Sequence, residues 1–314
     1  MTFETRLAVL VLAAFAAASL AASVLVPWVA CRVTLARPRS IAAALTTLRL
    51  LPAGAGLFAA IVTFASFLIF EQRSRLESTG VLLQALAVLT LLFAAAFAVR
   101  WHLITRQTRR LVARWLPDAR PIALGAARVP AFVVASEFPI VGVIGVVRHK
   151  LIIAQSVLDA CTPEELEAIL AHEQAHIERR DNLWRALFMA APDALAWLPI
   201  SRRLQSDWHA ATEEAADDCA GRLGQQGRPL LAQALVKVAR LAVSRREPGD
   251  LPATAFYRGG DIERRVRRLL APEGAAARPH RAVRMVLGLA VAALTIASLE
   301  TVHLILEAAV HGLP

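Results

Sequence analysis

Three apolar runs without a charged residue fill most of the first hundred positions. They are LAVLVLAAFAAASLAASVLVPWVA at about 7–30, LLPAGAGLFAAIVTFASFLIF at about 50–70 and GVLLQALAVLTLLFAAAFAV at about 80–99. Each is long enough to cross a hydrocarbon core of about 30 Å, and in lipid a lone segment must close its backbone hydrogen bonds as a helix. The first run is too long for a signal peptide and lacks a polar cleavage region. A fourth run, MVLGLAVAALTIASLETVHLILEAA at about 285–309, is interrupted by Glu300, His303 and Glu307 and is expected to be a last span. With 57% hydrophobic residues and a mean hydropathy of +0.51, the 314-residue chain is too apolar for a typical soluble domain.

Charge gives an orientation. The formal net charge is +10, and the basic residues cluster beside the runs. Arg32, Arg37, Arg39 and Arg49 lie between the first two without an acid, whereas Arg73 and Arg75 of the next loop share it with Glu71 and Glu77. Arg100, Arg106, Arg109, Arg110 and Arg114 follow the third run. The positive-inside rule then places the first loop and everything after the third run in the cytoplasm, with the amino terminus outside. The expected organisation is three spans over 1–100, a cytoplasmic domain over 101–283, and a fourth span with a short tail over 284–314. The positive excess reads as orientation signal and contact with anionic lipid, with no direct nucleic-acid partner. Cys31, Cys161 and Cys219 form no spaced pair or disulfide framework. The Ala-, Leu- and Arg-rich composition suits a bacterial inner-membrane protein.

Within the domain, AFVVAS, PIVGVIGVV and LIIA between Pro130 and Ser156 are β-rich runs broken by turns, predicting a small sheet. Thr162, Pro163 and Glu165 then read as a helix start with a capping threonine, proline in the first turn and a glutamate to complete a capping box. The helix carries HEQAH at 172–176. His172 and His176, four residues apart, project from one face as two ligands of a single tetrahedral zinc require. Glu173 is placed as a general base for a hydrolytic water rather than as a ligand. The apolar stretch 183–200 holds Arg185, Pro192, Asp193 and Pro199. It predicts a helix and turn, within the domain or against the bilayer surface, with Trp184 and Trp197 as interfacial side chains. Catalytic zinc needs a third protein ligand. In SDWHAATEEAADDCAGRLG, Glu213 with Asp217 and Glu214 with Asp218 offer the same spacing, and His209 is a further candidate. Spacing does not choose among them.

The order of three spans, basic domain, HEQAHIERRDN, acidic helix and fourth span resembles the BlaR1/MecR1 family of membrane metallopeptidases. Its shared stretch, H-E-x-x-H-x-x-x-R-D-N, matches His172, Glu173, His176, Arg180, Asp181 and Asn182. The resemblance implies a multi-pass α-helical membrane protein with a cytoplasmic α+β zincin-like (gluzincin) domain and one Zn2+ per chain. It assigns His172, His176 and Glu213 as ligands, Asp217 as the carboxylate supporting a ligand histidine, and Glu173 as the catalytic base. The family commonly has cysteine where this chain has Ala216. The family's β-lactam sensors carry a penicillin-binding domain after the fourth span, whereas this sequence stops at Pro314, so sensing by acylation is not expected. The implied activity is limited proteolysis of a protein substrate, such as a cytoplasmic transcriptional repressor, or of the chain itself. A signal through the spans or a partner protein would drive it, with a sensor or an oligomer as the expected partner. Rival readings are quality-control proteolysis, as in the similar HtpX/Ste24-like enzymes, and a non-catalytic transducer that keeps the shell for docking. Tyr257, His209 or an arginine could stabilise the oxyanion. The basic segment IERRVRRLL (262–270) is expected to lie on anionic lipid as a surface helix.

Overall fold

The computed structural model describes residues 2–30, 38–70, 79–124, 128–243 and 262–271. The first three apolar runs form helices α1 (Phe3–Ala30), α2 (Pro38–Phe70) and α3 (Val81–Trp115). Each is long and apolar enough to cross a membrane, and the chain is a membrane protein. The expected fourth run, and Tyr257, lie outside the described residues. α2 and α3 extend well beyond their apolar runs, α2 towards its start and α3 towards its end. A helix leaving lipid needs helix-forming residues rather than apolar ones, and the Leu-, Ala- and Arg-rich flanks supply them.

α1 packs against both other spans. Its buried positions are largely small, including Ala13, Ala16, Ser19, Ala22 and Ser23. Small residues let helix backbones approach where lipid offers no hydrophobic drive for association. At Gly56 of α2 an added Cβ would stand 2.9 Å from the Phe15 carbonyl oxygen, so a larger residue would push the helices apart. Thr90 of α3 donates its hydroxyl to the Leu12 carbonyl at 2.6 Å. Leu57, Ile61 and Leu68 of α2 and Leu82, Val88 and Leu92 of α3 are exposed, as on a lipid-facing surface.

The remaining chain builds an α+β unit. Strands β1 (Arg120–Ile122), β2 (Ala131–Val134), β3 (Val141–Ile144) and β4 (Lys150–Ala154) form one sheet in the order β1-β2-β4-β3. β2 and β4 run parallel and the other two pairs antiparallel, leaving β3 at an edge. The three β-rich runs are β2, β3 and β4. β1, with Pro121 at its centre, has no alternating pattern to announce it. Gly145 has φ +103, and a Cβ there would meet the Arg148 carbonyl oxygen at 2.1 Å, so the turn from β3 to β4 requires glycine. After the short α4 (Gln155–Ala160), α5 (Pro163–Arg179) and α8 (Gly227–Val243) close the main core over the sheet. Ile152, Ile153, Ile169, Leu231, Leu235 and Val238 meet there.

The stretch 183–200 is a helix and turn, and its packing partners are the spans. α6 (Asp181–Ala190) is followed by a 3-10 turn (Ala194–Trp197) and then by α7 (Pro199–Ala220). Phe188, Leu195, Leu204 and Trp208 bury against Val26 of α1 and Leu45 of α2. Arg49 of α2 donates to both Asp193 carboxylate oxygens, at 3.1 and 2.9 Å, and to the Phe188 carbonyl at 2.8 Å. Asp193 also accepts from the Ala196 amide and so caps the turn. Trp208 donates its indole N–H to Thr46 at 3.0 Å. Removing one partner of a buried ion pair costs about 3–5 kcal/mol, so the Arg49–Asp193 pair ties the turn before α7 firmly to α2, and the Trp208 bond adds α7 itself. Trp197 remains exposed. Finally, α9 (Ile262–Leu270) packs on α7 and α8. Its basic face, expected on lipid, instead meets the acidic face of α7.

Candidate metal centre

α5 is anchored at its start by the box its sequence spells. Thr162 Oγ1 accepts from the Glu165 amide at 3.3 Å, and Glu165 Oε2 accepts from the Thr162 amide at 2.8 Å. The same carboxylate accepts from Lys237 of α8 at 2.6 Å, so the cap also pins the helix to its neighbour. Two turns further on, His172, Glu173 and His176 are all buried. α7 comes alongside on small side chains: Ala216 and Cys219 pack against Ala175. That contact rotates Glu213 and Asp217 towards the histidines.

His172 Nε2 and His176 Nε2 stand 3.1 Å apart. Glu213 Oε2 lies 3.5 Å from the first and Glu213 Oε1 3.5 Å from the second. The ligand atoms of this trio fall within 4.8 Å of one another. Ligands of a tetrahedral zinc at ~2.0–2.1 Å stand about 3.3 Å apart, and the observed spacings bracket that value. Two imidazole nitrogens at 3.1 Å repel unless a proton or a cation lies between them. His209 does not join the trio; half-buried, its Nδ1 lies 4.0 Å from Glu213 Oε1.

The far nitrogen of each ring meets a carboxylate, which fixes the ring and leaves Nε2 for a metal. His176 Nδ1 lies 2.6 Å from Asp181 Oδ2, and His172 Nδ1 lies 3.0 Å from Asp217 Oδ1. Each carboxylate is held by a guanidinium. Arg179 donates to Asp181 at 2.6 Å and to the Thr212 carbonyl at 2.9 Å. Arg265 of α9 donates to Asp217 from Nε at 2.9 Å and from Nη2 at 2.6 Å, and its Nη1 lies 3.1 Å from Glu213 Oε2. Neither Asp181, Arg179 nor Arg265 stands out as a functional residue by spacing. Asp181 could be found from the R-D-N turn that follows the motif, whose arginine is Arg180; nothing local points to Arg179 or Arg265.

The electrostatics follow from this packing. Burial pushes the Glu173 carboxyl up to about 6, and both its oxygens are buried with no hydrogen-bond partner among the described residues. Burial would raise Glu213 too, but His176, Arg265 and His172 hold it well below the usual range. Asp217 is likewise drawn down to about 2, chiefly by Arg265 and His172 acting against burial. Burial disfavours a charged His172, yet Asp217 and Glu213 outweigh it and push the imidazole up to about 9. Four carboxylates, of Glu173, Asp181, Glu213 and Asp217, thus face the two guanidiniums of Arg179 and Arg265. A divalent cation would balance the set.

A family model described as BlaR1 peptidase M56 matches residues 70–269. The match runs from the end of α2 into α9 and takes in both histidines, Glu173, Glu213, Asp217 and Arg265. Among curated proteins none matches the chain. The family match covers more than half of the sequence, and the chain belongs to the BlaR1 peptidase M56 family of metallopeptidases.

Proposed function

We propose, from membership of this metallopeptidase family, that the protein is an integral-membrane zinc endopeptidase performing limited, regulatory proteolysis. The observation that carries the reading is the buried convergence of His172, His176 and Glu213 with the Glu173 carboxylate beside them. Two imidazoles and one carboxylate form a donor set that suits zinc better than calcium or magnesium, which prefer oxygen. His172, His176 and Glu213 would hold one zinc per chain, while Asp217 and Asp181 fix the two rings. Bound there, zinc would supply Lewis acidity for a scissile carbonyl and acidify water. Glu173 acts as the general base: its buried carboxylate accepts the proton of the attacking water and returns it to the leaving amine. With an ordinary value raised to about 6 by burial, it is ionised and ready near neutral pH.

A peptidase acts on protein substrates. Support for a regulatory, cytoplasmic target comes from the arginine-rich flanks of the spans, which favour a cytoplasmic domain on a bacterial inner membrane. A transcriptional repressor, or this chain itself, is the substrate we favour; membrane lipid and a sensor partner or second copy complete the expected surroundings. β3 is the sheet edge in contact with α5, and an extended substrate would pair along it. Asn182 occupies part of that edge, donating to the carbonyls of Val143 and Gly145 at 3.2 and 2.8 Å.

The test compares wild type with Glu173→Gln, purified in detergent. Both should carry about one zinc per chain, because Glu173 is not a ligand. New protein termini, on this chain or on cytoplasmic DNA-binding proteins in the same cells, should arise only with the wild type. A folded wild type without zinc, or the same termini from Glu173→Gln, would sink the reading.

A further inference from the structure

We propose that Arg265 is a positioning residue for the metal, so that metal binding and the docking of α9 on α7 form one coupled equilibrium. This rests on the metal-centre reading but not on the protein being an active peptidase. Arg265 Nη1 lies 3.1 Å from Glu213 Oε2, the oxygen that faces His172 Nε2, while Oε1 faces His176 Nε2. Its Nε and Nη2 grip both oxygens of Asp217, the carboxylate against His172. One rigid, planar guanidinium therefore sets the rotamer of a ligand and of the group orienting another ligand. Arg265 is 4% exposed, so water does not screen these contacts or substitute for them.

The rest of α9 is built to deliver that side chain. Arg268 donates to Asp218 at 2.6 Å and to the Glu214 carbonyl at 2.8 Å, and Arg264 lies 3.6 Å from a Glu214 carboxylate oxygen. The outer acidic pair of α7 thus receives the flanking arginines, and the inner pair receives Arg265. Leu269 is the large apolar side chain α9 buries. A nine-residue helix is too short to be stable alone, so its order depends on these partners. By reciprocity, whatever α9 contributes to metal affinity, the metal contributes to α9 docking.

Charge alone argues the opposite sign: a cation beside a ligand repels a metal, and its removal should tighten binding. Geometry argues for loss, as is usual when an outer-shell partner of a metal ligand is removed. Lysine separates the two, since Arg265→Lys keeps the charge and loses the fork.

The experiment measures zinc affinity by chelator competition on the detergent-solubilised full chain, with hydrogen exchange of 262–270 with and without zinc. Arg265→Ala and Arg265→Lys should both bind zinc about 10–100-fold more weakly than wild type. Zinc should slow exchange across α9 in the wild type. Arg267→Ala, which loses only an exposed contact to Glu263, should change neither readout. Should Arg265→Ala fail to fold, Arg265→Lys and the wild-type exchange data decide. Affinity in the lysine variant equal to or tighter than wild type, or α9 exchange indifferent to zinc, would overturn the proposal. A wild type that binds no zinc would remove the metal centre itself.

Discussion

The two ring supports at the candidate metal centre use the same chemistry and are built in opposite ways. Behind His176, the carboxylate of Asp181 and the guanidinium of Arg179 come from the same short stretch of chain. Arg180 takes a left-handed conformation, φ 56, which ends α5 and starts α6 so that Asp181 turns back to the ring. Behind His172, Asp217 comes from α7 and Arg265 from α9. The local set leaves Arg179 with a side chain 30% exposed, against 5% for Arg265. A local turn assembles its contacts as the helix ends and can leave them in water. A set drawn from three helices forms only when the domain closes, and closure is what dries it. The long-range set should therefore carry more energy and more coupling.

The sharpest test of that difference is stability. In the metal-free protein, Arg265→Ala leaves buried carboxylates without their guanidinium and should cost about 3–5 kcal/mol. Arg179→Ala should cost about 1 kcal/mol or less, its ion pair being partly solvated. Denaturant unfolding in detergent measures both, and equal losses would erase the distinction. Next in size are the carboxylates. Asp217→Asn and Asp181→Asn should each weaken zinc by about 10–100-fold, with the larger loss at Asp217; chelator competition that reverses the order would show that the local set dominates.

A pH series probes His172 directly. Its value in the folded, metal-free protein lies above the ordinary 6.5, at about 9. The stability it contributes is full below pH 6.5 and is lost as pH rises through about 9. Zinc displaces that proton, so over the same window zinc affinity should climb about tenfold per pH unit and level off above it. A flat profile would mean that His172 is neutral before the metal arrives. The smallest expected effect on zinc binding is at Asn182, whose two hydrogen bonds tie the local turn to β3. Asn182→Ala should cost about 1–2 kcal/mol and leave zinc affinity unchanged. A loss of zinc as well would show that the edge strand helps to shape the site.

Much of this arrangement is legible along the chain because it is written in local periodicity. The apolar runs predict α1 to α3, the Thr162–Glu165 box predicts the start of α5, and the HEQAH spacing puts two imidazoles on one face. Helix ends beyond the membrane are less legible, since α3 continues to Trp115 on residues that are merely good helix formers. β1 is illegible at three residues with a proline. The acidic helix illustrates the limit best. Glu213 with Asp217 and Glu214 with Asp218 share one spacing, and family resemblance alone distinguishes them in one dimension. In the fold, Ala216 and Cys219 against Ala175 fix the rotation of α7, which turns one pair to the histidines and the other to Arg264 and Arg268.

By itself, then, the sequence determined that the first three segments are long and apolar enough to cross lipid, where the motif helix starts and that its two imidazoles share a face. Hydrophobic pattern, capping chemistry and helical pitch act within a few residues and need no partner to be read. The tertiary structure decided that 183–200 braces α7 against α2, and that a basic helix with every mark of a lipid-surface segment sends Arg265 to Glu213 and Asp217. A guanidinium has many carboxylates within the reach of its charge. Which one it meets depends on which is buried beside it, and burial is a property of the packed chain.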